Sequence, residues 1–417
     1  MAKINRMKIS IVGAGAAGLF SAINIKRFSP EVEVVIYESS SRELAKVRLS
    51  GGGRCNLTNS FEDVKSLSSV YPRGERLMKR LFKVFNFEDA YNWFEDRGVQ
   101  LITQDDHCVF PESQDAMEIV NMLINEAKDL GVITCLRQGV ESIQKVGELF
   151  ELTFDNRFGE HPKVYSDALI VTSGGSPSEN AYKFLSSLPV DLIKPIPSLF
   201  TFSVEDNDLL GLMGAVAPNT IVGIRGTKFK ADGPLLVTHW GLSGPSILKL
   251  SSYAASWLEE NDYKTNIYIN WIGETNEDAV RNFLNEIFLI ESKKILANIH
   301  PFSLSSRIWN YLLTKKGIDS NLRCGEISKK VINLILEVLT NDEYELCGRY
   351  KYKDEFVTCG GVSLKSINPS TLEAKNCENL FFAGEVLDID AITGGFNLQA
   401  AWTTGYVVAE SISGLIE

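Results

Sequence analysis

Apolar positions along this chain fall into three textures. In the first, the run Lys8-Ile-Ser-Ile-Val12 is continuous enough for a buried strand, and a Gly-rich turn separates it from a helical stretch reaching about Phe28. The run EVEVVIYE then predicts a second strand through Tyr37, so residues 7–38 read as a βαβ unit with the usual right-handed crossover. Helical spacing returns over Arg76–Arg97 and Met117–Leu130. Alternating runs such as LFELTF and ALIVTS predict strands between 132 and 170, and Asn379–Ala383 predicts another.

A second texture occupies 195–275, where short alternating runs rich in Gly, Pro, Thr and Val (IVGIRGTKFKADGPLLVTHWG, TNIYINW) predict a small β domain. The third follows it, because DAVRNFLNEIFLI and KKVINLILEVL carry helical periodicity. The expected fold class is therefore α/β. A Rossmann-like nucleotide-binding domain, 1–194 plus 356–417, is interrupted by a β-rich insert at 195–275 and a helical subdomain at 276–355. No fixed-period repeat is visible.

Composition narrows the partners. At 417 residues the chain is longer than one core usually supports, and 44% hydrophobic with 23% charged residues is the balance of an ordinary globular protein. A net charge of −11 argues against a broad basic face, so no nucleic acid is expected as partner. The seven Cys are dispersed without a CxxC or a His-rich neighbourhood, so no metal site is expected, and their odd number fits a reducing cytosol. No run approaches the roughly 20 apolar residues that span a bilayer, and the N-terminus runs straight into the first strand. The expectation is a cytoplasmic protein without a membrane partner.

The chemistry begins at Gly13-Ala-Gly15-Ala16-Ala17-Gly18, between a predicted strand and helix, with Glu38 ending the next strand 20 residues after Gly18. Such glycines let a diphosphate approach backbone N–H groups at a helix N-terminus, and the acid is placed for adenosine ribose hydroxyls. The motif by itself admits NAD or FAD. A second motif, Asn379-Leu-Phe-Phe-Ala-Gly384-Glu385, leads through Asp388-Ile-Asp390 into Thr393-Gly394-Gly395-Phe396-Asn397-Leu398-Gln399. It resembles the second flavin fingerprint of the glutathione-reductase-like superfamily, in which an acid holds a ribityl hydroxyl and the next helix points at the flavin C2 carbonyl. Glu385 stands where Asp is usual. Ala168-Leu-Ile-Val-Thr-Ser-Gly174-Gly175 resembles that superfamily's middle strand.

The fourth motif is Arg48-Leu-Ser-Gly51-Gly52-Gly53-Arg54-Cys55-Asn56-Leu-Thr58-Asn59, where three Gly can wrap amides around an anion and two Arg suit phosphate. It resembles the GGGRCNxTN signature of the bacterial BaiN/RdsA-type NAD(P)/FAD-dependent oxidoreductases, relatives of fumarate-reductase-type flavoproteins. The likeness runs over nearly the whole chain, including Thr238-His-Trp-Gly-Leu-Ser-Gly-Pro245. It implies an FAD-binding domain whose site contains Gly13, Gly15, Ala16, Ala17, Gly18, Glu38, Arg48, Gly51, Gly52, Gly53, Arg54, Cys55, Asn56, Gly174, Gly384, Glu385, Gly395, Phe396, Asn397 and Leu398. The stretch Ser176–Tyr182 departs from the family pattern.

The expected activity is FAD-dependent oxidoreduction. NAD(P)H, as a transient reductant, would reduce flavin N5, and hydride would then pass to an unsaturated or carbonyl carbon of a small molecule. No second GxGxxG predicts a separate nicotinamide domain. A flavin-dependent RNA-modifying protein and a non-catalytic flavin sensor or electron carrier are the alternatives. Catalytic candidates are His239, as acid or base, and Cys55, as redox thiol, each set against a structural role. His107, Asp388 and Asp390 are weaker candidates of the same kind.

Overall fold

The computed structural model describes residues 7–178, 180–350 and 357–416, and the expected domain boundary at 355/356 lies outside them. The chain divides into two compact units, 1–197 with 353–417, and 198–352.

In the first unit, β1 (Lys8–Val12), α1 (Ala16–Phe28), β2 (Glu33–Glu38) and α2 (Ala45–Gly53) are followed by β3 (Ile133–Leu136), β4 (Ala168–Val171) and β5 (Leu380–Phe382). The five strands form one parallel sheet in the order β5-β4-β1-β2-β3. Parallel strands covered on both faces need near-continuous apolar sequence, and Ile9, Ile11, Ile36, Leu169, Ile170 and Val171 are all fully buried. Register aligns Val12 with Tyr37 and Val171, and Val171 with Phe382. The loops leaving the C-terminal ends of four strands therefore emerge side by side, which is where open α/β sheets take ligands.

The last helix, α3 (Phe396–Ser413), packs beside α1 around Phe20, whose ring lies 4.4–6.2 Å from those of Phe85, Trp93, Phe94 and Trp402. Trp402 Nε1 donates to Leu57 O at 2.9 Å and Trp93 Nε1 to Asn24 Oδ1 at 3.1 Å, so the large rings are buried without orphaned donors. The helical stretch expected over Arg76–Arg97 is two helices, Glu75–Leu81 and Phe87–Glu95. Asn86 separates them: its side chain accepts from Glu88 and Asp89 N–H while Asp89 caps back, a complete capping box.

The second unit is a closed antiparallel barrel in the strand order Phe202–Val204, Gly241–Ser243, Lys230–Thr238, Val216–Ile224, Thr265–Asn270 and Asp342–Arg349. It carries the amphipathic helices Glu277–Ile290, Ser306–Lys315 and Lys329–Thr340. Asp342–Arg349, expected to lie within a helical stretch, is instead the strand that closes the barrel against Phe202–Val204. Asp342, Tyr344 and Leu346 are buried and Glu343 and Glu345 exposed, so the period is two. The polar inward residues hid it. Asp342 accepts from Trp271 Nε1 at 3.0 Å and pairs with Lys315 at 2.7 Å, and Tyr344 OH also donates to it.

Candidate cofactor site

At the end of β1 the backbone turns through Gly13 at φ +106, and a Cβ there would stand 2.5 Å from Thr172 O. A Cβ at Gly18 would lie 2.0 Å from Gly13 O, whereas one at Gly15 meets nothing within 4 Å. The three glycines thus do different work: Gly13 and Gly18 close the turn onto its helix, and Gly15 leaves open space above it. No side chain caps α1 and no acid sits in its first turn. Its first N–H groups remain available to an anion. Ala16 and Ala17 open that turn, with Ala17 buried. Glu38, at the end of β2, accepts from Ala14 N at 2.8 Å through Oε2 and from Ser40 N at 2.8 Å through Oε1.

The segment from Ala45 is helical only to Leu49. Ser50 is extended, and Gly51, Gly52 and Gly53 adopt φ of +58, +68 and +85. Three successive left-handed residues need Gly. Gly51 also has no room for a side chain, since its Cβ would be 2.8 Å from Asn56 N, but Gly52 and Gly53 face open space. With its amide oriented to satisfy both ends, Asn56 accepts from Gly395 N at 3.2 Å and donates to Thr58 O at 3.1 Å. This ties the second and fourth sequence motifs together.

Arg48 and Arg54, expected to face phosphate, are engaged within the protein. Arg48 donates to Glu43 O at 3.2 Å and to Met117 Sδ at 3.1 Å. Arg54 donates to Gly51 O at 3.1 Å and Gln114 Oε1 at 3.3 Å, and lies 4.4 Å over the Phe110 ring. Asn397 likewise spends its amide on the adjoining loop, accepting from Ala391 N and donating to Ala391 O, both at 2.9 Å. Phe396 is buried, and Tyr71 OH donates to its carbonyl at 2.9 Å. Leu398 is half-buried on the first turn of α3, and Gly384 N donates to Thr404 Oγ1 at 2.9 Å.

Glu385 gathers residues that the motifs did not single out. Its Oε1 accepts from Thr358 N at 2.9 Å and its Oε2 pairs with Lys46 Nζ at 2.6 Å. Lys46 also donates to Gly175 O at 3.2 Å, and a Cβ at Gly175 would be 2.6 Å from Glu385 Oε1. Gly174, at φ +74, precedes this contact, and Tyr182 OH donates to its carbonyl at 3.3 Å. The Thr358 hydroxyl is buried with no hydrogen-bond partner. An orphaned buried hydroxyl beside a carboxylate, open space above Gly15, Gly52 and Gly53, and an uncapped helix start together suit a ligand with a diphosphate and a polyol chain.

The remaining candidates have structural partners. Cys55 is fully buried, and desolvation pushes its thiol up to about 12. His107 contacts Asp63 at 2.8 Å and Ser60 at 3.3 Å. Burial holds the Asp388 carboxyl above its ordinary range, and its Oδ1 accepts from Gly360 N at 2.9 Å. Asp390 is wholly buried against Arg73. His239 is exposed in the second unit, its ring edge-on to Trp240 at 4.2 Å, and Trp240 stacks on Tyr350 at 4.1 Å. Among the described residues no three His, Cys, Asp or Glu side chains converge as a metal site would require, and no helix is long and apolar enough to cross a membrane.

A parallel sheet with these loops at its C-terminal edge is a Rossmann-type frame, and the family and relatives that the chain matches are those of FAD-dependent oxidoreductases. The chain belongs to the HI0933-like family, whose Rossmann-domain description matches residues 7–411. It is 27% identical over 431 residues to the ribosomal RNA dihydrouridine synthase of Escherichia coli (strain K12), covering 98% of each chain. The enzyme of the same name from Haemophilus influenzae is 28% identical over 410 residues, covering 97% of this chain and 98% of that one. The 3-dehydro-bile acid delta(4,6)-reductase of Clostridium scindens is 24% identical over 416 residues, with 97% and 98% covered.

Proposed function

We propose that this chain is an FAD-dependent reductase of a carbon–carbon double bond conjugated to a carbonyl. The observation that carries the reading is that relatives of two names align over 97–98% of this chain, and both names denote that bond change. Dihydrouridine is uridine with its ring double bond saturated next to a carbonyl. A 3-oxo steroid with Δ4 and Δ6 double bonds is a conjugated dienone. When bound, FAD supplies hydride exchange at flavin N5.

The protein's own part is binding and orientation. Glu38 would accept hydrogen bonds from ribose hydroxyls, the Gly13–Gly18 turn and the start of α1 would take the diphosphate, and Glu385 with Thr358 would take the ribityl chain. The start of α3 would then present backbone N–H groups and positive dipole to the far end of the flavin. The reductant is NADH or NADPH, binding transiently.

A uracil ring in ribosomal RNA is the first substrate to test, because two of the three relatives above share that name at 27–28% identity. The net charge of −11, which favours a small molecule, averages the whole chain and describes no single face. A small enone is therefore the second reading. The experiment is anaerobic addition of NADH or NADPH to the flavin-loaded chain, followed by ribosomal RNA lacking dihydrouridine or a panel of enones. Bleaching of the flavin, its recovery on adding substrate, and a mass gain of two hydrogens in the product are expected. A flavin that neither nucleotide bleaches, or a reduced flavin that no conjugated double bond reoxidises, sinks the reading.

A further inference from the structure

Arg48 and Arg54 donate to neutral acceptors of the protein, and a third cation of the same segment is paired with a carboxylate of the site. That third cation is Lys46. Leu44, the residue before α2, is held at φ +55 and donates its N–H to Ala14 O at 2.9 Å, which fastens the start of α2 to the Gly13–Gly18 turn. A Leu adopts that conformation only under local constraint. Two residues on, the Lys46 ammonium contacts the Gly175 carbonyl and Glu385 Oε2, so it sits at the loops leaving β4 and β5 while its own segment is tied to the loop leaving β1 through Leu44. Its side chain is 58% exposed while that of Glu385 is 20% exposed. The lysine is thus free to swing while the carboxylate is anchored, since Thr358 N holds the other oxygen.

We propose that Lys46 is the cationic partner of the cofactor diphosphate, and that Glu385 holds it in readiness until the cofactor arrives. Without cofactor, the ion pair covers the carboxylate oxygen that a ribityl hydroxyl would use. On binding, the hydroxyl takes that oxygen and the ammonium transfers to phosphate, so one lysine serves two acceptors in turn. The Glu385 carboxylate reaches Thr358 N with one oxygen and Lys46 with the other. Lys is suited to such an exchange because it acts as a compact charge on a flexible stem, without a fork geometry to satisfy.

The inference rests on the FAD site above and is separated from it by ligands that carry only part of the cofactor. The full-length chain, stripped of flavin, is titrated with FAD, ADP and adenosine by calorimetry. Lys46→Gln should weaken FAD and ADP by a similar factor of about ten, the low end for a charge-assisted hydrogen bond, and leave adenosine unchanged. Glu385→Gln keeps an acceptor for Thr358 N but releases the lysine, and should tighten ADP. The proposal is overturned if Lys46→Gln weakens FAD but not ADP, because Lys46 would then act on the ribityl chain through Glu385. It is also overturned if Glu385→Gln loosens ADP as much as Lys46→Gln does, because the pair would then be scaffold. Wild-type protein that binds neither FAD nor ADP removes the FAD site itself.

Discussion

Ala14 donates its backbone N–H to Glu38 Oε2 at 2.8 Å, so the acid that ends β2 also fixes the turn that ends β1. One carboxylate therefore shapes the Gly13–Gly18 turn and, in the function proposed above, would also offer lone pairs to a ribose. Glu38→Gln retains an acceptor of the same shape but gives up the charge, whereas Glu38→Ala gives up both. FAD affinity, measured by quenching of flavin fluorescence, should fall about tenfold for the first and about a hundredfold for the second, in line with one and two lost hydrogen bonds to a charged group. Equal losses for the two variants would mean that the turn does not depend on this contact.

Gly15 and Gly18 separate folding from binding. A methyl at Gly18 would be 2.0 Å from the backbone oxygen of Gly13, which cannot yield cheaply, so Gly18→Ala should lower the melting temperature of the flavin-free chain by several degrees. Gly15, at φ −83, is in ordinary space with nothing within 4 Å of the added methyl. Gly15→Ala should melt like wild type without flavin yet bind FAD much more weakly, since the methyl enters the space above the turn. A Gly15→Ala variant that binds FAD normally would place the diphosphate elsewhere.

What was legible in the sequence follows from distance along the chain. The Gly13–Gly18 turn, Glu38 and the helix at α1 were readable because their spacing is local, and the apolar strands were readable because a parallel sheet buries both faces. Lys46 and Glu385 are 339 residues apart, as Thr58 and Gln399 are 341, and no local pattern announces such meetings. The charges of Arg48 and Arg54 could be read, but not the protein acceptors to which they turn. Asp342–Arg349 escaped because its inward positions carry Asp and Tyr in place of aliphatic residues. Its only aliphatic inward residue is Leu346, too little to show a period of two.

Arg73 and Asp390 form a two-pronged ion pair in which the carboxylate is fully buried and the guanidinium side chain is 21% exposed. Removing one partner of such a pair strands a charge and costs about 3–5 kcal/mol, whereas removing both charges costs much less. Arg73→Met should therefore lower the urea midpoint more than the double variant Arg73→Met with Asp390→Asn. Equal midpoints would show that Asp390 is satisfied by its other contacts, and that the pair contributes little to holding the loop before α3.

Burial of thiols sets an alkaline limit. Desolvation pushes Cys55 and Cys359 up to about 12 and Cys108 to about 11, from an ordinary value of 9.0. In the folded chain these groups keep their protons more firmly than in the unfolded chain. Their contribution to stability is thus complete below about pH 9 and is lost as pH rises toward 11 and 12. Urea midpoints should hold between about pH 7 and 9 and fall steeply above that. The same burial predicts chemistry: iodoacetamide at about pH 8.5 should label the half-exposed Cys135 and Cys347 in the native chain and spare Cys55 until urea is added. Mass spectrometry of the labelled peptides reads both outcomes. Native labelling of Cys55 at a rate comparable to Cys347 would mean that its loop opens readily, and would return the thiol to consideration as a redox group of the proposed flavin site.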